Sequence, residues 1–378
     1  MFAFHVVSSD WNVDSVLDDG ENSQYSFMSK LKEKGTIRHI GFSTHGSSEN
    51  IMKLISSNKF DYVNMHCHYF GDYHGTGTPD SCGGQGNVAC AKKALELDMG
   101  LFLISPYDKG GALYKPSKSV ALTIGEKMTP MAFASLYAWH SLGFHTISVG
   151  VGRASDFVEC YEAAQMFVRD GIKGEISAAD SRLRQLAEEK LGKEWSNKGL
   201  LNIPSYYREE TGGMAIGHIL WCLNLLEAYG MYDFAKARYA GLESTKASWK
   251  KGVSFQENAK NMNPGNPGTC FDDTFDLDQA LMNHFSSKEA KEKLAKSHAI
   301  FRKGADFTDE DRKKYEAEVA YDLNTWTEFP GDVGKLGLGG VMVQVFSRNK
   351  FGEISRSGPT QEFSKYASKL RRMYSDKH

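Results

Sequence analysis

The chain has 378 residues, of which 41% are hydrophobic and 24% charged, the composition of an ordinary globular protein with material for a large core. Its 45 basic side chains nearly cancel its 47 acidic ones, so no global field draws it to nucleic acid or an anionic membrane surface, and a small-molecule partner is the better expectation. The six cysteines (Cys67, Cys82, Cys90, Cys160, Cys222 and Cys270) include no CxxC pair, which argues against a disulfide framework or zinc ribbon and for reduced thiols in a cytoplasmic setting.

The N-terminus, MFAFHVVSSDWNVD, is apolar for only a few residues and lacks a basic start, unlike a secretory leader. No run reaches the roughly twenty apolar residues of a membrane span. FAFHVV (2–7) is strand-like. SFMSKLKEKG (26–35) is helical and stops on a glycine. KGTIRHIGFSTHG (34–46) carries a strand that changes abruptly into small polar residues. In SSENIMKLISS, Ile51, Leu54 and Ile55 form an i, i+3, i+4 face behind a serine cap. FDYVNMHCHYF (60–70), MGLFLISPY (99–107) and FHTISVGVG (144–152) are further strands. Helices follow them at NVACAKKALELD, from about Pro130, and after residue 152. Strands alternating with helices imply parallel pairing, in a (β/α) barrel or a doubly wound sheet, with active residues at the C-terminal strand ends in either case.

After residue 175 the alternation stops. GGMAIGHILWCLNLLEAYGMYDFAKARY (212–239) reads as one buried helix with a stripe of Ile216, Ile219, Leu220 and Leu223. Ser286 and Glu289 offer a capping box, and Thr308 an N-cap, to two charged helices. GKLGLGGVMVQVF, near the C-terminus, is a strand or hairpin candidate. The expected organisation is therefore an α/β unit at 1–175, a mostly helical extension at 176–330 and a tail at 331–378.

FAFH, KGTIRHIGFSTHG, FDYVNMHCHYF, MGLFLISPYDKGGALYKP and HTISVGVGRASDFVE, in that order and spacing, resemble the C-terminal five βα units of an aldo-keto reductase. The later ILWCLNLLEAYGMYDFAKARY resembles an extension of some microbial relatives of that family. The resemblance implies an incomplete (β/α)8 TIM-type barrel and an oxidoreductase passing hydride from NADP(H) or NAD(H) to a small-molecule carbonyl substrate. It aligns His5 with the family's catalytic histidine. Ser43 and Thr44 stand where a Ser-Asn pair holds the nicotinamide carboxamide, and Asn64 stands where a glutamine does so. A threonine hydroxyl cannot reproduce both ends of an amide.

Ser105 matches the pyrophosphate-side loop, after Ile104 in place of a stacking aromatic. Gly150 and Gly152 match the phosphate loop, where small residues let backbone N–H groups approach an anion. Arg153 is the cation expected near a 2′-phosphate, and Glu159 the carboxylate expected at the adenine. His66 and His68, two apart on a strand, project to one side while Cys67 projects to the other. They are expected at the barrel mouth near the substrate, and their spacing fits no compact metal motif.

The family's aspartate, proton-donating tyrosine and lysine lie in units that precede the matching region. Two expectations follow: the natural protein is longer than this chain, or the chain is an inactive barrel fragment that binds nucleotide or a protein partner.

Overall fold

Five short strands, each followed by one or two helices, occupy the first part of the chain. In the computed structural model, which describes residues 1–70, 86–107, 113, 116–150, 155–168, 172–260 and 268–317, β1 (Phe2–Phe4) leads into α1 (Asp10–Leu17) and α2 (Gln24–Glu33). Next come β2 (Ile40–Ser43) with α3 (Ser48–Ser56) and β3 (Tyr62–Met65) with α4 (Asn87–Glu96). The series ends with β4 (Gly100–Ile104), α5 (Lys118–Ile124), α6 (Pro130–His140), β5 (Thr146–Ser148) and α7 (Ser155–Phe167). Five of these helices begin behind side-chain caps: the hydroxyls of Ser9, Ser23, Ser47, Ser117 and Thr129 each accept a backbone N–H of the first turn, a contact worth about 1 kcal/mol apiece.

The strands form one parallel sheet in the order β1-β2-β3-β4-β5, each beside its predecessor in sequence. The order never reverses, and β1 and β5 are the edges of the described sheet. Strand side chains alternate between faces, and the register sorts them. Phe42, Val63 and Leu101 share one row, and Ser43, Asn64, Phe102 and Thr146 share a row on the other face. The first face, covered by helices, is dry. On the second face Ser43, Asn64, Phe102 and Ile104 are half-buried, and Thr146 and Ser148 are exposed.

Beyond the sheet lie α8 (Ile172–Leu191), α9 (Lys193–Lys198), a 3-10 turn at Glu209–Thr211, α10 (Ile216–Tyr229), α11 (Tyr232–Ser248), α12 (Phe255–Lys260), α13 (Ser287–Phe301) and α14 (Asp309–Lys314). One hydrophobic cluster runs from sheet residues such as Leu101 and Leu103 into Leu183, Trp221 and Leu226 of these helices. Trp221 Nε1 donates to Phe70 O at 3.0 Å, and the rings of Tyr229 and Phe70 lie 5.0 Å apart. The expected boundary at 175/176 falls inside α8.

The expected single helix over 212–239 is two helices. Gly230 adopts φ 66 and its N–H bonds back to Leu225 O and Leu226 O, closing α10. A Cβ there would lie 2.7 Å from Tyr315 O, so the break needs a glycine. The expected capping box at Ser286 is absent, because Ser286 makes no side-chain cap bond to α13. Thr308 does cap α14, in a reciprocal box closed by Asp311. The C-terminal strand or hairpin candidate lies outside the described residues. No helix among the described residues is long and apolar enough to cross a membrane.

Candidate functional site

The C-terminal ends of β1, β2 and β3 converge through short polar contacts. Ser43 closes β2 on the open face, and its hydroxyl accepts the Val6 N–H at 3.0 Å and lies 3.1 Å from Nδ1 of the exposed His5. Ser43 O takes the Val7 N–H at 2.8 Å. The turn after β1 is strained to reach this arrangement: Val6 is a β-branched residue at φ 56, a conformation that costs an L-residue about 1–2 kcal/mol. Ser105, after β4, is also left-handed at φ 49, and its N–H donates to Ser148 O at 2.6 Å. Strain of this kind at the C-terminal ends of parallel strands is the pattern of a ligand site.

Asn64 pairs with Ser43 across β2 and β3 on the open face. Its Oδ1 is buried and has no hydrogen-bond partner among the described residues. An orphaned amide oxygen costs about 1–3 kcal/mol of desolvation.

Beyond Asn64, β3 continues into His66 and His68, 3% and 2% exposed, projecting to one side as the alternation predicts. His66 Nδ1 lies 2.9 Å from His68 Nε2, and His66 Nε2 lies 2.6 Å from Nδ1 of His45, in the loop after β2. His68 Nε2 reaches Ile104 O at 3.1 Å. Asn87, the first residue of α4, holds this strand end by donating to His66 O at 2.5 Å, and it accepts from Ser48 at the start of α3. Among the described residues, no group of three or more His, Cys, Asp and Glu has the geometry to hold a metal ion.

Other expected site residues lie elsewhere or in other surroundings. Thr44 turns to the helix-covered face and is fully buried. Its hydroxyl donates to Val7 O at 2.7 Å and accepts from Gly46 N at 3.0 Å, so it braces the loop and has no proton left for a carboxamide. Glu159 is buried in α7 and takes the Thr129 hydroxyl at 2.6 Å, tying α7 to the start of α6 rather than standing open at the strand ends. Gly150 is half-buried just past β5. Gly152 and Arg153 lie outside the described residues.

His45 and Asn87 stand at the strand ends without being among the expected site residues. The available signal for His45 was its position two residues after Ser43, where alternation keeps it on the same side. Nothing in the sequence marks Asn87 as more than the start of a helix.

Electrostatics narrow the chemistry. Burial pushes the Cys90 and Cys222 thiols up to about 12 and the Cys160 thiol up to about 11, so these remain neutral thiols rather than nucleophiles. Burial likewise raises the phenols of Tyr69, Tyr107 and Tyr137. None of those three is tuned toward giving up a proton near neutrality. Among the described residues at the strand ends, the side chains of a type suited to proton transfer are the imidazoles of His5, His45, His66 and His68. No protein-family model matches the chain, and no curated protein matches its sequence.

Proposed function

We propose that the protein is an oxidoreductase of aldo-keto reductase type, acting on a small-molecule carbonyl with NADP(H) or NAD(H). The observation that carries this reading is the unpartnered Asn64 Oδ1, set beside Ser43 at the C-terminal strand ends. A nicotinamide carboxamide offers two N–H donors to such an oxygen. The sequential strand order also suits an arc of a (β/α)8 barrel, whereas a doubly wound sheet places its site where the order reverses.

A bound nicotinamide nucleotide would supply the hydride. On the chain's side, Asn64 and Ser43 would hold the carboxamide, and Ile104 would offer an apolar surface to the ring. Gly150 would border the phosphates through its backbone N–H, and Ser105, whose own N–H is held by Ser148 O, would offer its hydroxyl. His5 stands at the exposed side of Ser43, where its ring can orient a carbonyl oxygen. Five free cysteines among the described residues fit a reducing compartment such as the cytoplasm.

The test is a fluorescence titration of the purified chain with NADPH and with NADH. Saturation below millimolar concentration is expected, and Asn64→Ala should weaken it about tenfold, the size of one hydrogen bond to a buried group. Absence of saturation by either nucleotide overturns the reading for this chain. A second reading is favoured by the open edges β1 and β5 of the described sheet: an inactive barrel segment that completes its sheet with a protein partner. Nucleotide binding without turnover of any aldehyde or ketone would favour it.

A further inference from the structure

A groove of about 550 Å³ runs along the outer edge of β1, from Phe2 to His5, with α2 as its far wall. That volume is in the range that holds a small molecule rather than a few waters. The walls are apolar: Phe2 and Phe4 come from β1, and Phe27 and Met28 from α2. Phe4 meets Phe2 edge-on at 5.6 Å and Phe60 at 6.2 Å, so the β1 wall is tied into the core. The other wall is held by the Ser23 cap of α2 and by the Tyr25 hydroxyl, which donates to Lys59 O at 2.9 Å. Both walls are thus fixed before any ligand arrives. Phe27 nonetheless keeps 59% of its surface in water, apolar area that a ligand would cover.

The lining sets the chemistry of the occupant. No Lys, Arg, Asp or Glu among the described residues lines the groove, so nothing there compensates an ionised ligand such as a keto acid or a sugar phosphate for its lost hydration. The polar groups are the amides of Asn22 and Gln24 and the imidazole of His5, since the Ser23 hydroxyl already accepts the Ser26 N–H at 3.1 Å. A peptide strand is a poorer fit. Phe2 N–H donates to His39 O, so alternation turns the N–H and C=O of Ala3 alone outward within β1. One residue's pair of groups is little for a strand to hold. His5 also links the groove to the candidate nucleotide site, because its Nδ1 lies 3.1 Å from Ser43 Oγ and Ser43 pairs with Asn64. We propose that the groove between β1 and α2 binds the apolar body of a neutral aldehyde or ketone, whose carbonyl oxygen meets His5. Calling that molecule the substrate rests on the reductase reading above; the preference for a neutral, apolar ligand rests on the lining alone.

Nile red, a neutral dye that brightens in apolar surroundings, tests the groove on the whole chain without cofactor. The dye should bind, 2-decanone should displace it, and pyruvate at the same concentration should not. Phe27→Asp should weaken both the dye and 2-decanone by about tenfold or more, the effect of withdrawing one aromatic side chain from the contact. An acidic residue early in α2 suits the helix dipole, so this variant should keep the parent's unfolding midpoint. Leu122→Asp, at a 70% exposed position of α5 outside the groove, should leave dye binding unchanged. Displacement by pyruvate, undiminished binding in Phe27→Asp, or an equal loss in Leu122→Asp overturns the proposal. If NADPH fails to bind while 2-decanone still displaces the dye, the reductase reading falls alone. If NADPH binds and 2-decanone leaves the dye in place, the groove assignment falls alone.

Discussion

On the helix-covered face of the sheet, Phe42, Val63, Met65, Leu101 and Leu103 are all fully buried, whereas the same strands turn Ser43, Asn64, Phe102 and Ile104 to a face that stays partly open. One residue separates each member of the first set from its neighbour in the second, so a single-residue slip in register would exchange the two surfaces. The covered face is aliphatic and aromatic, and it holds the sheet to its helices. The open face mixes glycine, hydroxyl and amide groups with the large side chains of Tyr62, Phe102 and Ile104, and it is less completely buried. Stability and candidate chemistry are thus divided across the thickness of one β-layer.

The largest expected effect breaks the covered face. Leu101 is fully buried in the row of Phe42 and Val63. Leu101→Ala removes buried methyl groups and leaves a cavity, at a cost of about 2–5 kcal/mol in urea unfolding. Ile104→Ala on the open face should cost clearly less, because that side chain is already half in water. Equal losses at the two positions would dissolve the division between the faces.

A smaller effect sharpens the open face. Tyr62 lies in a row between Gly41 and Gly100. A Cβ at Gly41 would meet the Tyr62 ring at 2.5 Å, and one at Gly100 would lie 3.0 Å from Tyr62 Cβ and 3.3 Å from the Phe102 ring. The two glycines let the aromatic side chain lie down across the sheet. Gly41→Ala should therefore destabilise the protein by about 1–3 kcal/mol, the range for overpacking. Adding Tyr62→Ala should cancel part of that loss, because the clash needs both side chains. Additive losses in the double variant would show that the ring moves aside freely.

Much of this arrangement was legible because it is local. Ser47 ahead of Ile51, Leu54 and Ile55 announces α3, and the structure caps and buries those residues accordingly. The five strands follow from short apolar runs bounded by turns, though each paired segment is shorter than its apolar run. What escaped the sequence depends on contacts between distant residues. The helical pattern runs unbroken through Gly230, and only the approach of the Tyr315 carbonyl reveals why the chain must turn there. Ser286 and Glu289 have the spacing of a capping box, but Ser286 makes no cap bond. His45 joins the candidate site only when β2 and β3 pair and bring its ring against His66. Thr44 shows the same limit in reverse, since its polar side chain serves Val7 and Gly46 on the covered face.

The smallest expected effect concerns the opposite end of the strands, away from the candidate site. Asp61 precedes β3; its carboxylate accepts the Ile40 N–H at 2.8 Å and pairs with Lys32 at 2.7 Å. Burial opposes ionisation of Asp61, but the hydrogen bonds from Lys32 and Ile40 and the charge of Lys32 outweigh it and lower its pKa. A carboxyl lowered in the folded state stabilises the fold above the unfolded value, about 3.9 for aspartate. That contribution fades as pH falls through the folded value. Asp61→Asn retains an acceptor for the Ile40 N–H and removes only the charge. At neutral pH it should cost less than about 1 kcal/mol, as for a partly exposed ion pair. Thermal unfolding from pH 6 to pH 2 should show the two proteins converging as the acid end is approached. A difference that persists undiminished at pH 2 would place the effect in packing rather than charge. A site-end substitution such as Ser43→Ala removes no carboxylate, so its stability difference from the parent protein should stay constant across the same acid range.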